Sequence, residues 1–193
     1  MSPTPLIFMY RFRNITVFIL CTILISCVTR GPEYTPPVSG EVVSINFKTT
    51  SSEGNIGIRV FDNKESCKDY YSGEHVALLN NKIIWDGDSK DHYSQVFEAD
   101  RLRAFTIYSS SQITEDLGYV TRHYAMRCAK SFMVTPKSTK EYQFVFTHDI
   151  NKNKKSQTCS IEGFIKDKGT NLNKHKIENL TDVSKFCGLP ARL

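Results

Sequence analysis

The chain has 193 residues, 40% of them hydrophobic and 23% charged, with a formal net charge of +5. That length suits one domain after processing, and twelve Phe, nine Tyr and one Trp supply a core that a disordered chain would lack. Two of the positive charges, Arg11 and Arg13, belong to a leader, and the remaining balance is too mild to call for a nucleic-acid partner.

Arg11 and Arg13 precede the apolar run ITVFILCTILI at 15–25. A basic start followed by a short apolar run makes an export signal. A bilayer span takes about 20 apolar residues, more than this run offers. Met1 and Met9 are both possible starts, and Met9 gives the shorter leader.

Leu24, Ile25, Ser26 and Cys27 resemble the lipobox of bacterial lipoproteins. In that motif a branched apolar residue stands three places before the cut and a small residue directly before it. The Cys thiol then takes the diacylglycerol. The resemblance implies removal of residues 1–26, acylation of Cys27 and a membrane partner reached through that lipid. Two or more acyl chains make such anchoring stable, at about 0.8 kcal/mol per buried CH₂. Val28 and Thr29, with no Asp, follow Cys27. This resembles lipoproteins forwarded to the outer membrane rather than kept at the inner one. Pro32, Pro36 and Pro37 make 27–40 an expected tether, reaching at most about 40 Å.

From Glu41 onward the hydrophobic period is two. Val43, Ile45 and Phe47 share one face, as do Ile56, Ile58 and Val60. Tyr124, Met126, Cys128, Phe132 and Val134 form a third set, which Lys130 interrupts. Tyr142, Phe144 and Phe146 form a fourth, and Cys159, Ile161 and Ile165 a fifth. Turn residues separate these runs: SSEGN, the Asn pair at 80–81 between HVALL and KIIW, and DGDSKD after Trp85. PKSTK at 136–140 and DINKNKKS at 149–156 are expected to close hairpins. The spacing predicts an all-β fold for 41–193. The expected form is an antiparallel β-sandwich, immunoglobulin-like or transthyretin-like, of about 7–9 strands. Residues 171–186 read as a loop, an edge strand or a short helical turn.

Of six cysteines, Cys21 leaves with the leader and Cys27 takes the lipid. Cys67, Cys128, Cys159 and Cys187 remain, an even set that predicts two disulfides in an exported domain. Their spacing is far wider than the close pairs of a zinc site. If Cys128 and Cys159 flank the strand at 141–148 in one sheet, they stand about 9.6 Å apart, beyond disulfide reach. The expected pairing is then Cys67–Cys128 with Cys159–Cys187. Strands in opposite sheets would instead permit Cys128–Cys159. Cys67 with FDNKES before it, then CAKSFMVTPKSTKEYQFVF, then Cys159 in its strand also resemble a broad group of uncharacterised bacterial lipoproteins. That resemblance spans roughly 56–166 and implies the fold without an activity.

No catalytic motif emerges. A calcium loop from Asp86 would meet Lys90 and Phe97 where it needs ligands. One from Asp149, Asn151 and Asn153 meets Lys154 in place of Gly and Ser160 in place of Glu. His75, His92, His123, His148 and His175 are scattered, with no metal-binding spacing, and no cofactor loop is present. Lys152, Lys154 and Lys155 read as a solvated hairpin tip, or as contacts for anionic headgroups or an acidic polymer. Tyr70 and Tyr71 read as a cover over the core edge. The expected function is a non-enzymatic envelope module that binds a protein partner through a sheet edge or an apolar patch. The alternative is an envelope hydrolase or a hydrolase inhibitor.

Overall fold

The computed structural model describes residues 31–51, 54–80, 90–170 and 174–188. The leader, Cys27, the KIIW run with Trp85 and the Asp-Gly turn at 86–87 lie outside the described residues. The strands are β1 (Val42–Thr49), β2 (Asn55–Phe61), β3 (Glu74–Leu79), β4 (His92–Glu98) and β5 (Arg103–Asp116). Then come β6 (Thr121–Val134), β7 (Lys140–Asn151), β8 (Ser156–Asp167) and the two-residue β9 (His175–Lys176) and β10 (Thr181–Asp182). They form two five-stranded sheets, ordered β4-β1-β7-β8-β9 and β10-β6-β5-β2-β3. Pairing is antiparallel except for β1 beside β7. The result is a β-sandwich.

The alternating residues face each other across it. Phe47, Phe97 and Phe144 from one sheet meet Phe105 and Phe132 from the other, all fully buried. The Phe132 and Phe144 ring centroids are 4.4 Å apart, and those of Phe97 and Phe105 5.2 Å apart. Such tilted and edge-on ring pairs add to what their buried area contributes.

β2 departs from simple alternation, being buried without a break from Ile56 to Phe61. Ile56, Ile58 and Val60 point into the sandwich, and the opposite face is covered by residues 62–73. That segment folds back in two 3₁₀ turns, Ser66–Lys68 and Tyr70–Ser72. Tyr70 lies under Arg59, whose guanidinium sits 4.6 Å from the ring and donates to the Gly73 carbonyl. Tyr108 crosses Gly57 so closely that a Cβ there would stand 2.1 Å from its ring. Gly57→Val should therefore lower stability by about 1–3 kcal/mol, an overpacking cost read from thermal melts. An unchanged melting temperature would contradict this packing.

Two expectations are corrected. Residues 136–140 close no hairpin: β6 and β7 belong to different sheets, and the segment crosses between them. The disulfides are Cys67–Cys187 and Cys128–Cys159, not the expected pairing. The reason is the same crossover. β6 and β8 lie in opposite sheets, so Cys128 and Cys159 meet across the sandwich with Cα atoms 6.1 Å apart. Cys67, on the folded-back segment, meets Cys187 on the outer face, 4.7 Å between Cα atoms. There Phe61, Ala104, Met133 and Val183 complete a second apolar cluster. Cys67 is fully buried, whereas Cys128 and Cys159 are half-buried. Mild reduction followed by alkylation and peptide mapping should therefore open Cys128–Cys159 first; the reverse order would contradict these burials.

The remaining irregularities have local causes. Residues 174–188 hold β9 and β10, which cap the outer strands β8 and β6. Lys130 breaks the alternation of β6 because it lies at that margin, 3.6 Å from Asp182. The Pro-rich stretch is docked over part of its length. The Pro32 carbonyl accepts from His75 N–H (2.7 Å), and Tyr34 N–H donates to the His75 carbonyl (2.9 Å). Tyr34 stacks 4.7 Å from Phe97 and donates its hydroxyl to the Val96 carbonyl (3.0 Å). Burial pushes the Tyr34 phenol up to about 12. The segment thus closes the side of the sandwich where the edge strands β3 and β4 meet.

Candidate functional site

One end of the sandwich holds a long β5–β6 ribbon. β2 accompanies β5 only as far as the pair Asn55–Ser110. β6 stays in register with β5 to the pair Asp116–Thr121. Residues 111–126 therefore extend beyond the sheet as two strands with no third strand beside them among the described residues. Gly118, at φ +81°, reverses the chain, its N–H held by the Asp116 carboxylate (2.8 Å). The tip exposes Val120 and leaves Tyr119 87% accessible.

The open side of β6 has a defined main-chain pattern. Ser131 turns both of its groups outward, accepting from Val183 N–H (2.9 Å) and donating to Ser184 Oγ (2.8 Å). The Arg127 carbonyl, also outward, accepts from Gln157 Nε2 (2.6 Å). Antiparallel alternation directs the N–H and C=O of Thr121, His123 and Ala125 to that side as well. Among the described residues no strand pairs with them. Such an edge is a template for another strand. Other edges are covered in part: β3 by residues 32–34, β4 by the Tyr34 hydroxyl, and β8 by β9 at Phe164 and Ile165.

The ribbon faces the β7–β8 tip. Lys155 Nζ donates to Glu115 Oε2 (3.0 Å) and to the Tyr124 hydroxyl (3.2 Å), and lies 4.6 Å over the Tyr124 ring. The Lys155 hydrogen bond, followed by that of Tyr124, holds the Glu115 carboxyl below its ordinary value. Glu115 in turn raises Lys155. Ile113, Tyr124, Met126, Lys152 and Lys155 border a concavity of about 470 Å³ between the two tips. The expected lysine cluster is thus a hairpin tip with Lys155 committed to the ribbon. Asn151, in the stretch expected to be a hairpin turn rather than a calcium loop, accepts from Lys154 N–H (2.9 Å) and so shapes that turn.

A second constellation lies deeper. His148 Nδ1 is 2.8 Å from Ser109 Oγ, and Nε2 is 3.0 Å from Gln157 Oε1. Because Gln157 donates its amide to Arg127, its oxygen faces the ring. Nε2–H therefore donates to Gln157, and Nδ1 shares a hydrogen bond with Ser109 Oγ. Ser109 is 1% and His148 4% exposed. The trio is a polar bond between the sheets, with Ser51 accepting the His148 N–H. Its inward place was signalled by Tyr142, Phe144 and Phe146, whose period of two continues to 148. The other histidines stay apart from it: His75 pairs with Glu33 (3.1 Å), His92 with Asp91 (2.8 Å) and His123 with Thr114 (3.2 Å), while His175 lies on β9. Tyr70 is buried, and Tyr71 packs edge-on against it with ring centroids 5.4 Å apart.

No family model, curated protein or solved structure matches this chain.

Proposed function

We propose that the protein is a lipid-anchored module of the bacterial envelope that binds a protein partner by adding a strand to its β5–β6 ribbon. The observation that carries the binding part is the β6 edge at Thr121, His123 and Ala125, unpaired among the described residues, beside the exposed Tyr119. Main-chain bonds supply affinity in this mode, and neighbouring side chains supply choice of partner. The anchoring part rests on the lipobox and Cys27. The preferred site is the outer membrane. Crosslinking in intact envelopes, with mass spectrometry of captured peptides, tests the binding part. It should yield a reproducible partner joined through residues 111–126; no reproducible capture, or capture elsewhere on the domain, would refute it.

A second reading, an envelope hydrolase, has Ser109, His148 and Gln157 in its favour. A serine next to a histidine that a third group orients is the arrangement of an activated nucleophile. Burial weighs against it, because a nucleophile must reach the carbonyl it attacks and Ser109 is covered. A fluorophosphonate probe should leave Ser109 unlabelled. Labelling there would replace the binding reading. A hydrolase inhibitor would be one form of the binding module and would use the same edge.

A further inference from the structure

We infer that the face of the domain carrying residues 62–73 rests on the bilayer itself, with Tyr71, Leu102 and Phe186 in the headgroup layer. This inference rests on the reading that Cys27 is acylated. Its own support is the path of the chain. Gly31 is already packed on the domain, against the Tyr71 and Gly73 carbonyls. Cys27 is four residues earlier, and four residues span at most about 14 Å. The docked residues thus remove most of the reach that a free tether to residue 40 would have, and the domain cannot stand away from its anchor.

The surface around that entry point suits a lipid interface. Tyr71, Leu102 and Phe186 are each more than 40% exposed and come from three different segments. All three lie in or adjoin the folded-back segment 62–73. Tyr71 adjoins Gly31, Phe186 precedes the disulfide to Cys67 and lies under Lys64 Nζ (3.4 Å), and Leu102 separates two arginines that bind Asp62. Aromatic rings beside lysine stems favour the boundary between water and acyl chains. Local charge does not favour an anionic surface in particular. Lys68 is paired with Glu65, Lys137 with Asp100, and Arg101 with Glu98 and Asp62. The contact is therefore apolar and indifferent to lipid charge.

The test uses the full chain isolated from envelopes, in a Trp85→Phe background, with Tyr71→Trp, Leu102→Trp, Phe186→Trp and, for comparison, Tyr119→Trp. Each variant is reconstituted into vesicles of phosphatidylethanolamine, with or without phosphatidylglycerol, containing brominated acyl chains. Acylation of Cys27 is checked on the same samples by intact mass. Bromine should quench the first three tryptophans at least about threefold more than the one at 119, equally in both lipid mixtures. An acylated protein with no such difference overturns the seating while leaving the anchor intact. A Cys27 without acyl chains overturns the lipoprotein reading, and the seating falls with it.

Discussion

Replacing Cys67 and Cys187 together by alanine should lower stability by about 4–5 kcal/mol, the largest change expected from any disulfide in the domain. The bond spans 120 residues, and closing a loop of about that length restricts the unfolded chain more than closing a short one. In the folded state it joins residues 62–73 to the C-terminal segment over the outer face of β2. Without it, Phe61, Ala104 and Val183 lose their cover together. Domains are stable by only about 5–15 kcal/mol, so the loss takes a large share. The melting temperature should fall on the order of 10–20 °C by circular dichroism. Replacing Cys128 and Cys159, only 31 residues apart, should cost less, about 3–4 kcal/mol. Equal costs, or a larger one for the second pair, would show that chain restriction is not the main term.

The second large effect concerns binding. Ala125→Pro should reduce capture of the envelope partner at least about tenfold and leave folding nearly unchanged. The Ala125 N–H faces the open side of β6, so proline removes no bond to β5. It does remove a donor that an added strand would need, and its ring obstructs that strand. Tyr124→Pro is the informative contrast. Its N–H faces β5, opposite Ile113, and losing that bond should loosen the ribbon itself. If Ala125→Pro captures the partner as well as the native chain does, the partner binds elsewhere. Tyr119→Ser should weaken capture without moving the melting temperature, because the ring is in solvent and supports nothing in the fold.

The sandwich was legible where alternation was clean. β1, β2 and β7 carry three inward apolar residues each, and the structure buries all of them. β5 was harder to see, because its outer half reads SSSQITED and has a single large apolar residue, Ile113. A strand that leaves the core has no need of an apolar face, so its sequence resembles a loop. The ribbon depends on how far β5 and β6 outrun β2, a relation between strands that no single stretch encodes. The disulfides failed for a related reason. A period of two places a cysteine on a face but does not say to which sheet that face belongs. Once the crossover at 135–139 is known, Cys128–Cys159 follows from geometry. The three prolines at 32, 36 and 37 argued against order in the tether. Yet docking of 32–34 needs only the Pro32 carbonyl and the Tyr34 N–H, neither of which proline chemistry removes.

The most direct test of strand addition is amide hydrogen exchange, residue by residue, on the protein with and without its captured partner. Strand addition should slow exchange at Thr121, His123 and Ala125, with little change at Arg122 and Tyr124, whose amides already face β5. Partner binding that leaves those three amides as fast as in the free protein would contradict it.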